Sequence, residues 1–472
     1  MKALTLLKKL GFDNVRVNHK VENISDSSKS CTINSIFVAI KGSRTNGSKY
    51  VGEAIDKGAK TIVLDEDVGE RPGINYIYVD NPKRALAILL YYFNIKYIRR
   101  VKLIGVIGTN GKSSTAHNIY SMLNYYHKSS SLIGTDGFYL NNKRYKHNNT
   151  TPNICTIYEY IKMSVSLRVR YICMEVSSVA VAELRCHMLP FKMLIFTNFS
   201  EDHLDYHKTI DSYYKNKELP FIELANDSYA IINKDDIRYS EIIKHIKGRV
   251  VSYSIKSKSM YQAYNINLQP NSISFRANNA LYKCHMIGEF NVYNLLPLLF
   301  FKDYFNISSE SFKRFLANHK PLKGRMDVIR YNLSHIIIDY AHTESGVASV
   351  IDTVKSLPHK HIYVVIGCGG NREKEKREKI GRILSDNDVS IILTSDNPRF
   401  ENPLDIIADI VKGINIPYVI IENRRKAIAY AIDKLKDDDY LLVLGKGNED
   451  YIEIYGNKYL YNDYDVINEL IS

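Results

Sequence analysis

Short apolar runs alternate with helical stretches along most of the chain. Up to about residue 100 the strand-like runs SIFVAI, KTIVL and NYIYV stand beside helical segments such as KRALAILLYYFN. From Val101 the order becomes strand, glycine-rich turn and helix, in VKLIGVI, GTNGKSS and TAHNIYSMLNYY, with later strands at YICMEV, MLIFTN and YAIIN. A last set comprises HIIIDY, HIYVVIG, VSIILTS, PYVIIE and YLLVLG. This alternation predicts parallel sheets covered by helices, and therefore an α/β fold.

The pattern divides into three sections without an internal repeat. We predict an N-terminal domain over residues 1–98, a central domain over 99–322 and a C-terminal domain over 323–472. Parallel sheets bind ligands at the carboxyl ends of their strands. The polar segments TSDNPR, GCGGNRE and GKGNED all fall at such ends.

Composition and charge narrow the class of protein. The 472 residues are 45% hydrophobic and 24% charged, as in ordinary globular proteins. A net charge of +13 favours anionic partners, but the basic residues are scattered, which favours nucleotides over nucleic acid. The six cysteines form no CxxC pair, so neither a zinc site nor a disulfide framework is expected. With no signal peptide and no membrane-spanning stretch, we predict a cytoplasmic protein without membrane insertion.

GVIGTNGKSS has the parts of a phosphate-binding loop. Its glycines let backbone N–H groups surround a phosphate, Lys112 neutralises charge, and the Ser113 hydroxyl can bind Mg²⁺. The general P-loop pattern requires glycine six positions before the lysine, where this chain has Val106. The strand before and the helix after still supply the expected context.

Two further segments offer acids and histidines. Glu175 ends the strand YICMEV, where it could bind Mg²⁺ or cap the next helix. TNFSEDHLDYH places Asp202, His203, Asp205 and His207 in a short loop, which is either a metal site or a hydrogen-bonded turn. Lys217, in YYKNKEL, has the local pattern of a solvated helix lysine.

TSDNPRF follows the apolar run VSIIL and carries an acid, an amide and an arginine at a strand end. Taken alone, this segment predicts a turn with a solvated arginine.

Taken together, the motifs resemble the Mur ligase family, the ATP-dependent amide-forming enzymes of peptidoglycan synthesis. The resemblance runs from about Ser25 to Asp450, in the family's order: GTNGKSS, NNTTPN, EVSS, TNFSEDHLDYH, GEFNVYN, GRMDV, DYAHT, GCGGNREKEKR, DNPR and GKGNEDY. It implies a three-domain architecture, with a central P-loop ATPase-like domain and a C-terminal Rossmann-like domain. Within the family, the chain is most similar to members that add diaminopimelate to a UDP-linked muramoyl dipeptide.

The resemblance also implies a reaction and a set of cofactors. The donor carboxylate attacks the γ-phosphate of ATP to give an acyl phosphate, which the amine of the acceptor then attacks. ATP and Mg²⁺ are the implied cofactors. Lys112, Glu175, His203 and Lys217 would be catalytic, with metal ligands Ser113, Glu175, His203 and a Lys217 carbamylated by CO₂. The implied nucleotide contacts are Gly108, Thr109, Asn110, Gly111, Lys112, Ser113, Ser114, Asn291, Arg325 and Asp339.

Both substrates have implied contacts. The donor, a UDP-linked muramoyl dipeptide, would be held by Ser25, Ser27, Ser43, Arg44, Thr45, Asn149, Thr150, Thr151, Ser177, Glu183 and Arg185. The diamino acid acceptor would be held by Arg372, Asp396, Asn397, Pro398, Arg399, Gly445 and Glu449. In diaminopimelate-adding members the DNPR arginine meets the distal carboxylate, which lysine lacks. A monomer with these small-molecule partners is expected.

Five positions depart from the family pattern: Ser28, Val179, Glu183, Asn448 and Ser113, the last a serine in place of threonine that keeps the hydroxyl. Ser28 and Glu183 fall in the region expected to bind the donor, so they bear on the identity of the donor more than on the reaction with ATP. Two alternatives therefore stay open: a divergent ligase with another donor or with L-lysine as acceptor, and a nucleotide-binding paralogue without turnover.

Overall fold

The computed structural model describes residues 1–42 and 45–472, except for the side chain of Asp205. Its N-terminal section is built around one parallel sheet with strand order β1-β2-β3-β4. The strands are β1 (Ile24–Ser25), β2 (Ser35–Val38), β3 (Ala59–Leu64) and β4 (Asn75–Tyr78). The helices are α1 (Ala3–Leu7), α2 (Val51–Asp56), α3 (Pro82–Phe93) and α4 (Ile95–Ile98). Asn81 caps α3 by accepting from Arg84 N, and Pro82 stands in its first turn, where a missing N–H costs nothing.

The central section contains a nine-stranded sheet of order β13-β12-β11-β10-β5-β9-β6-β7-β8, in which only β7 runs opposite to the other strands. These strands are β5 (Lys102–Ile107), β6 (Ser130–Gly134), β7 (Gly137–Leu140), β8 (Lys143–Tyr145), β9 (Tyr171–Glu175), β10 (Phe191–Phe196), β11 (Tyr229–Asn233), β12 (Arg249–Ser254) and β13 (Tyr261–Gln262). A separate antiparallel sheet comprises β14 (Tyr264–Gln269), β15 (Ser272–Ala277) and β16 (Ala280–Cys284).

The central helices cover both faces of that sheet. They are α5 (Lys112–Tyr125), α6 (Ile154–Ser166), α7 (Ser178–Ala182), α8 (Leu204–His207), α9 (Ile210–Ile222), α10 (Tyr239–Ile242), α11 (Glu289–Leu295), α12 (Pro297–Tyr304) and α13 (Ser309–Asn318). β5 lies between β10 and β9 and is buried except for Lys102, as expected for a strand covered on both faces.

The C-terminal section has a six-stranded sheet of order β17-β18-β22-β19-β20-β21, in which only β17 is antiparallel, and a separate hairpin of β23 and β24. The strands are β17 (Asp327–Tyr331), β18 (Ser334–Asp339), β19 (Ile362–Ile366), β20 (Ser390–Leu393), β21 (Tyr418–Ile420), β22 (Tyr440–Leu444), β23 (Tyr451–Ile454) and β24 (Asn457–Leu460). The helices are α14 (Glu344–Lys355), α15 (Glu375–Ser385), α16 (Pro403–Val411), α17 (Arg424–Lys434) and α18 (Asp463–Ile471).

The cores follow this layering. Two clusters lie on opposite faces of the C-terminal sheet, because alternate residues of β18 and β22 point to opposite sides. A third cluster runs from α1 and α3 of the N-terminal section onto one face of the central sheet, reaching Phe196 and Ile232. The N-terminal and central sections therefore share an apolar interface.

The α/β fold with parallel sheets is confirmed, and every strand-like run named above contributes to a strand. One main sheet falls within each predicted domain range, while the exact boundaries stay a prediction. Among the described residues, no helix combines the length and apolarity needed to cross a membrane.

Candidate active site

The phosphate loop joins β5 to α5 at the carboxyl end of the central sheet. Gly108 has no room for a side chain, because a Cβ there would lie 1.8 Å from Thr197 Oγ1. Gly111 has a φ of +79°, a left-handed conformation that glycine adopts without strain. Since α5 starts at the next residue, Lys112, the loop and the helix N-terminus together form an anion-binding cradle.

Two lysine side chains converge on this loop. Lys112 Nζ donates to the carbonyl oxygens of Gly108 at 3.0 Å and Thr109 at 2.7 Å. Lys217, from α9, donates to Gly108 O at 2.6 Å and is 1% exposed. Burial lowers the pKa of both lysines, and the nearby charge of Lys112 lowers the pKa of Lys217 further. Lys217 is therefore a buried amine at the phosphate loop and not a solvated helix lysine.

Glu175 ends β9 beside the same loop. Its Oε2 accepts from Ser113 Oγ at 2.7 Å and from Thr135 Oγ1 at 3.1 Å, while Oε1 accepts from Thr135 N at 2.8 Å. Arg325 Nη2 donates to Ser113 Oγ at 3.2 Å. The next helix, α7, is capped by Ser177, so the alternative role of Glu175 as a helix cap is wrong.

His203 directly precedes α8 and lines the same cavity. Its Nε2 lies 3.5 Å from Asp202 Oδ2. Burial raises the pKa of Asp202, but the surrounding basic groups, His203 first and also Lys376 and Lys112, outweigh it and hold that pKa below its ordinary value. His207, from the same segment, instead lies 3.0 Å from Ser178 Oγ. The side chain of Asp205 lies outside the described residues.

The side-chain atoms available as ligands determine which metal ion could bind here. Within the described part of the chain, no group of three or more His, Cys, Asp or Glu side chains is placed to bind a metal. Ser113 and Glu175 supply the oxygen ligands that Mg²⁺ prefers. Lys217 as an amine supplies none, whereas a carbamate would. The residues present therefore fit Mg²⁺ at Ser113 and Glu175, and fit a second ion near His203 only after modification of Lys217.

The opposite end of the cavity is formed by the loops after β20 and β22. Lys446 Nζ, fully buried, donates to Asn397 Oδ1 at 3.2 Å and to Glu449 Oε2 at 3.1 Å. Asn397 Nδ2 donates to the same Glu449 oxygen at 2.8 Å. Burial raises the pKa of Asp396, and a Cβ on Gly445 would lie 2.7 Å from its Oδ2. These residues form one connected polar network.

Two arginines line this end. Arg399 Nη1 donates to Gly370 O at 2.6 Å, and its Nε donates to Glu453 Oε2 at 3.3 Å. Arg372 lines the same wall. Pro398 contributes its backbone, because its carbonyl oxygen lies 1.9 Å from where a Cβ on Gly370 would stand. The loops after β19 and β20 are therefore in direct contact, and glycine is required at that contact.

One cavity of about 290 Å³ connects the two ends. Lys112, Glu175 and Lys217 line it from the central section, and Arg399 and Glu449 line it from the C-terminal section. The phosphate loop and the DNPR loop thus face one shared space.

A second cavity, of about 370 Å³, adjoins the first at Gly111 and Arg325. Asp339 lines it and accepts from Met326 N at 2.7 Å, and burial raises its pKa. Asn291 is buried behind this cavity, where its Oδ1 accepts from Asn294 Nδ2 at 3.0 Å. Asn291 therefore supports Asn294, which lines the cavity.

Contacts between the central and C-terminal sections close the site. Asn110 Nδ2 donates to Ser345 Oγ at 3.0 Å, and Ser200 Oγ lies 3.3 Å from the same atom. Lys146 forms an ion pair with Asp450 at the surface. Ser345 is at the start of α14, so this helix contacts the phosphate loop directly.

The predicted donor contacts separate into two groups. Thr150 and Ser177 line the cavity, while Thr151 is buried and donates its hydroxyl to Glu175 O at 2.8 Å. Arg185 Nη1 donates to Thr151 O at 3.1 Å. Among the described residues, seven predicted donor contacts line neither cavity: Ser25, Ser27, Thr45, Asn149, Thr151, Glu183 and Arg185. Ser43 and Arg44 lie outside the described residues.

Two residues that depart from the family pattern, Glu183 and Ser28, form side-chain contacts within the protein. Glu183 forms an ion pair with Lys83 of α3 and accepts from Tyr206 Oη at 2.5 Å. Burial raises the pKa of Glu183, but these two contacts bring it below its ordinary value, so the residue is anionic. Ser28 Oγ donates to Glu53 Oε2 at 2.8 Å. Glu183 thus joins the N-terminal and central sections.

Sequence reasoning missed several residues of the site. Thr135, Tyr340, His342 and Lys376 all line the first cavity. Burial and the charge of Lys376 lower the pKa of His342 to about 3. Lys446 had an available signal, because it directly follows the end of the buried run YLLVLG.

Comparison with known proteins gives two matches to family models. Residues 106–299 match the Mur ligase middle domain, and residues 324–447 match the Mur ligase glutamate ligase domain. Among curated relatives, UDP-N-acetylmuramoyl-L-alanyl-D-glutamate–2,6-diaminopimelate ligase of Clostridium tetani is 37% identical, covering 100% of this chain and 99% of its own. The protein of the same name from Aquifex aeolicus is 35% identical, covering 96% and 94%.

Solved structures show the same fold. A structure of UDP-N-acetylmuramoyl-L-alanyl-D-glutamate–2,6-diaminopimelate ligase aligns with a TM-score of 0.69 at 23% identity, over 99% of this chain and 98% of the other. The MurF ligase of Thermotoga maritima in complex with ADP aligns with a TM-score of 0.63 at 18% identity, over 89% and 93%.

Proposed function

The chain belongs to the Mur ligase family, and on that premise we propose that it adds meso-2,6-diaminopimelate to UDP-N-acetylmuramoyl-L-alanyl-D-glutamate at the expense of ATP. The observation that best supports this proposal is the shared cavity, which the phosphate loop lines at one end and Arg399 lines at the other. A ligase needs both, because one end activates an acid and the other presents an amine.

The activation step takes place at the phosphate loop. The donor carboxylate oxygen attacks the γ-phosphorus of ATP, ADP leaves, and the donor becomes an acyl phosphate. Lys112 and the backbone N–H groups of the loop orient and neutralise the phosphates, which is an electrostatic role. Mg²⁺, when bound at Ser113 and Glu175, supplies further neutralisation of phosphate charge.

Lys217 is proposed to carry a carbamate. Its lowered pKa increases the neutral amine fraction, and the neutral amine is the form that reacts with CO₂. The product is an anionic oxygen ligand in place of a buried amine. Lys112 and Lys217 both donate to Gly108 O, so an anionic carbamate on Lys217 would place a negative charge beside the Lys112 ammonium and attract it.

The acceptor enters at the C-terminal end. Its amine, once deprotonated, attacks the acyl carbonyl carbon, phosphate leaves, and the amide forms. Arg399 and Arg372 are proposed to bind acceptor carboxylates, and Glu449 to bind an ammonium group. Lysine has no distal carboxylate and would leave a partly buried guanidinium without its substrate partner, which favours diaminopimelate.

The donor is proposed to reach the cavity through Thr150 and Ser177, beside the joint between the N-terminal and central sections. Because Glu183 forms an ion pair with Lys83, this joint contains two charged side chains. We still propose the standard donor. Since ATP and UDP-linked precursors are intracellular metabolites, we also propose that the protein acts in the cytoplasm. The shared cavity is lined entirely by residues of one chain, so we propose that a monomer is the active form.

A reconstituted assay tests the function. Purified protein with ATP and Mg²⁺ should release ADP and phosphate only when both donor and diaminopimelate are present, and the product mass should be that of the tripeptide precursor. Replacing diaminopimelate by L-lysine should lower kcat/KM by about 100-fold or more. Equal use of both amino acids would contradict the assigned acceptor, and nucleotide binding without acceptor-dependent turnover would indicate a non-catalytic paralogue.

A further inference from the structure

The hairpin of β23 and β24 stands apart from the C-terminal sheet and packs along the acceptor loop. Its two-residue turn, Tyr455 and Gly456, has φ values of +47° and +79°, as in a type I′ turn. An isolated two-stranded hairpin is marginally stable in water, so its other contacts determine where it lies.

Those contacts are made with the DNPR loop. Arg399 N donates to Glu453 O at 3.0 Å, and Tyr455 N donates to Arg399 O at 2.6 Å. Glu453 N donates to Asn397 Oδ1 at 3.0 Å. β23 therefore lies beside the loop like an added parallel strand, with Arg399 paired to Ile454.

This pairing holds Arg399 in an unusual backbone conformation. Its φ is +52°, in the left-handed region that residues with a side chain rarely adopt. Such a conformation persists where surrounding contacts over-determine it. Here both the N–H and the carbonyl group of Arg399 bond to the hairpin, so the hairpin determines the direction in which the side chain leaves the loop.

The side chain is held as well. Glu453 Oε2 accepts from Arg399 Nε at 3.3 Å, and Gly370 O accepts from Nη1 at 2.6 Å. A guanidinium has five N–H donors, so these contacts leave up to three for a ligand in the cavity that Arg399 lines. Because Glu453 is bonded through its own N–H and carbonyl, its carboxylate stays beside Arg399.

We propose that Glu453 is a positioning residue for acceptor selection: it fixes the Arg399 guanidinium so that the remaining donors meet the distal carboxylate of the diamino acid. This inference rests on the proposed function. Glu453 also offsets the arginine charge, so selectivity would depend on the orientation of the donors more than on net attraction. If Glu453 instead competed with the acceptor carboxylate for Arg399, removing the Glu453 carboxylate would lower the KM for the acceptor.

The test compares Glu453→Ala and Glu453→Gln with wild type, at saturating ATP and donor. Glutamine keeps an acceptor oxygen, so its KM for diaminopimelate should stay within about threefold of wild type, whereas alanine should raise it about tenfold. The KM for ATP should not change in either variant. Glu469→Ala, which removes an exposed carboxylate paired with Arg425 on the same domain, is the matched control.

A double-mutant cycle separates positioning from a structural effect. If Glu453 acts through Arg399, adding Glu453→Ala to Arg399→Ala should not weaken diaminopimelate use further. An unchanged or lowered acceptor KM in Glu453→Ala, or an additive loss in the double variant, would overturn the inference. Wild type in the same assay separates the two claims: if it shows no diaminopimelate-dependent turnover, the proposed function itself fails, and the inference with it.

Discussion

The two ends of the shared cavity bind charge in different ways. At the phosphate end, Lys112 and Lys217 bond to backbone carbonyls of a loop whose glycines have no space for a side chain. At the acceptor end, Lys446 and Arg399 bond to the side-chain carboxylates of Glu449 and Glu453. The first end is made by a local motif, and the second is assembled from separate strands and a hairpin.

This difference has a functional consequence. A backbone cradle binds any phosphate of the right geometry, so the phosphate end supplies catalysis common to ATP-dependent enzymes. Side-chain carboxylates and arginines discriminate between ligands by charge and direction. We therefore expect changes at the phosphate end to reduce turnover with every acceptor, and changes at the acceptor end to alter the choice of acceptor.

The largest effect is expected for Lys112→Ala. Removing the ammonium from the buried cradle should lower kcat by at least about 10³-fold, whichever amino acid is offered. ADP release measured with diaminopimelate and with L-lysine tests this expectation. Lys434→Ala, which removes an exposed lysine, should leave both rates unchanged. A loss of ADP release with diaminopimelate but not with L-lysine would contradict the proposed separation of roles between the two ends.

Lys217→Ala should lower kcat by about 10²-fold, because the variant lacks both amine and carbamate. Short carboxylic acids should restore part of the activity by supplying the missing anionic oxygen. Lys215→Ala is the matched control, since Lys215 lies on the exposed side of the same helix.

The direction of the pKa shift makes a second readout possible for Lys217. A pKa lowered by burial leaves more neutral amine at a given pH, so carbamate should form with bicarbonate near neutral pH and increase as the pH rises. A ¹³C signal from labelled bicarbonate that is present in wild type and lost in Lys217→Ala would support the modification. The same signal in both proteins would contradict it.

Arg399→Ala should lower kcat/KM for diaminopimelate by about 100-fold while the KM for ATP stays within about twofold, because one charged hydrogen bond contributes about 1.5–3 kcal/mol. Arg399→Lys should recover little, since an ammonium lacks the guanidinium fork. Arg425→Ala is an exposed control. Equal losses for ATP and acceptor would show that the two ends are not independent.

The same contrast explains how much could be predicted from the sequence. The buried strands were predictable from their apolar runs, and GTNGKSS carries its chemistry in consecutive residues. Lys217 was not predictable from its surroundings, because its partner, Gly108 O, lies 109 residues away. Local polar neighbours in YYKNKEL predict solvent exposure, and only the packing of α9 on the phosphate loop buries the amine.

The acceptor end shows the same limit more strongly. DNPR is visible in the sequence, but its supports come from distant segments. Arg424 and Asp463, both buried, form an ion pair, and Arg424 Nη2 also donates to Leu444 O at 2.9 Å, at the end of β22. A motif names the residues that touch a substrate, whereas the residues that orient them depend on strand order and hairpin placement.

The smallest effect is expected where the two ends meet at the surface. Lys146 and Asp450 form an ion pair between the central and C-terminal sections, with 69% and 35% of their side chains exposed. Exposed pairs contribute little and are screened by salt, so Lys146→Ala should change kcat by less than about fivefold, and less still at high ionic strength. If each end is held by its own buried network, this pair only adjusts how often the sections close. A loss comparable with that of Lys217→Ala would instead mean that closure depends on a surface charge, and the partly buried contacts of Asn110 and Arg325 would then be insufficient to bring the ends together.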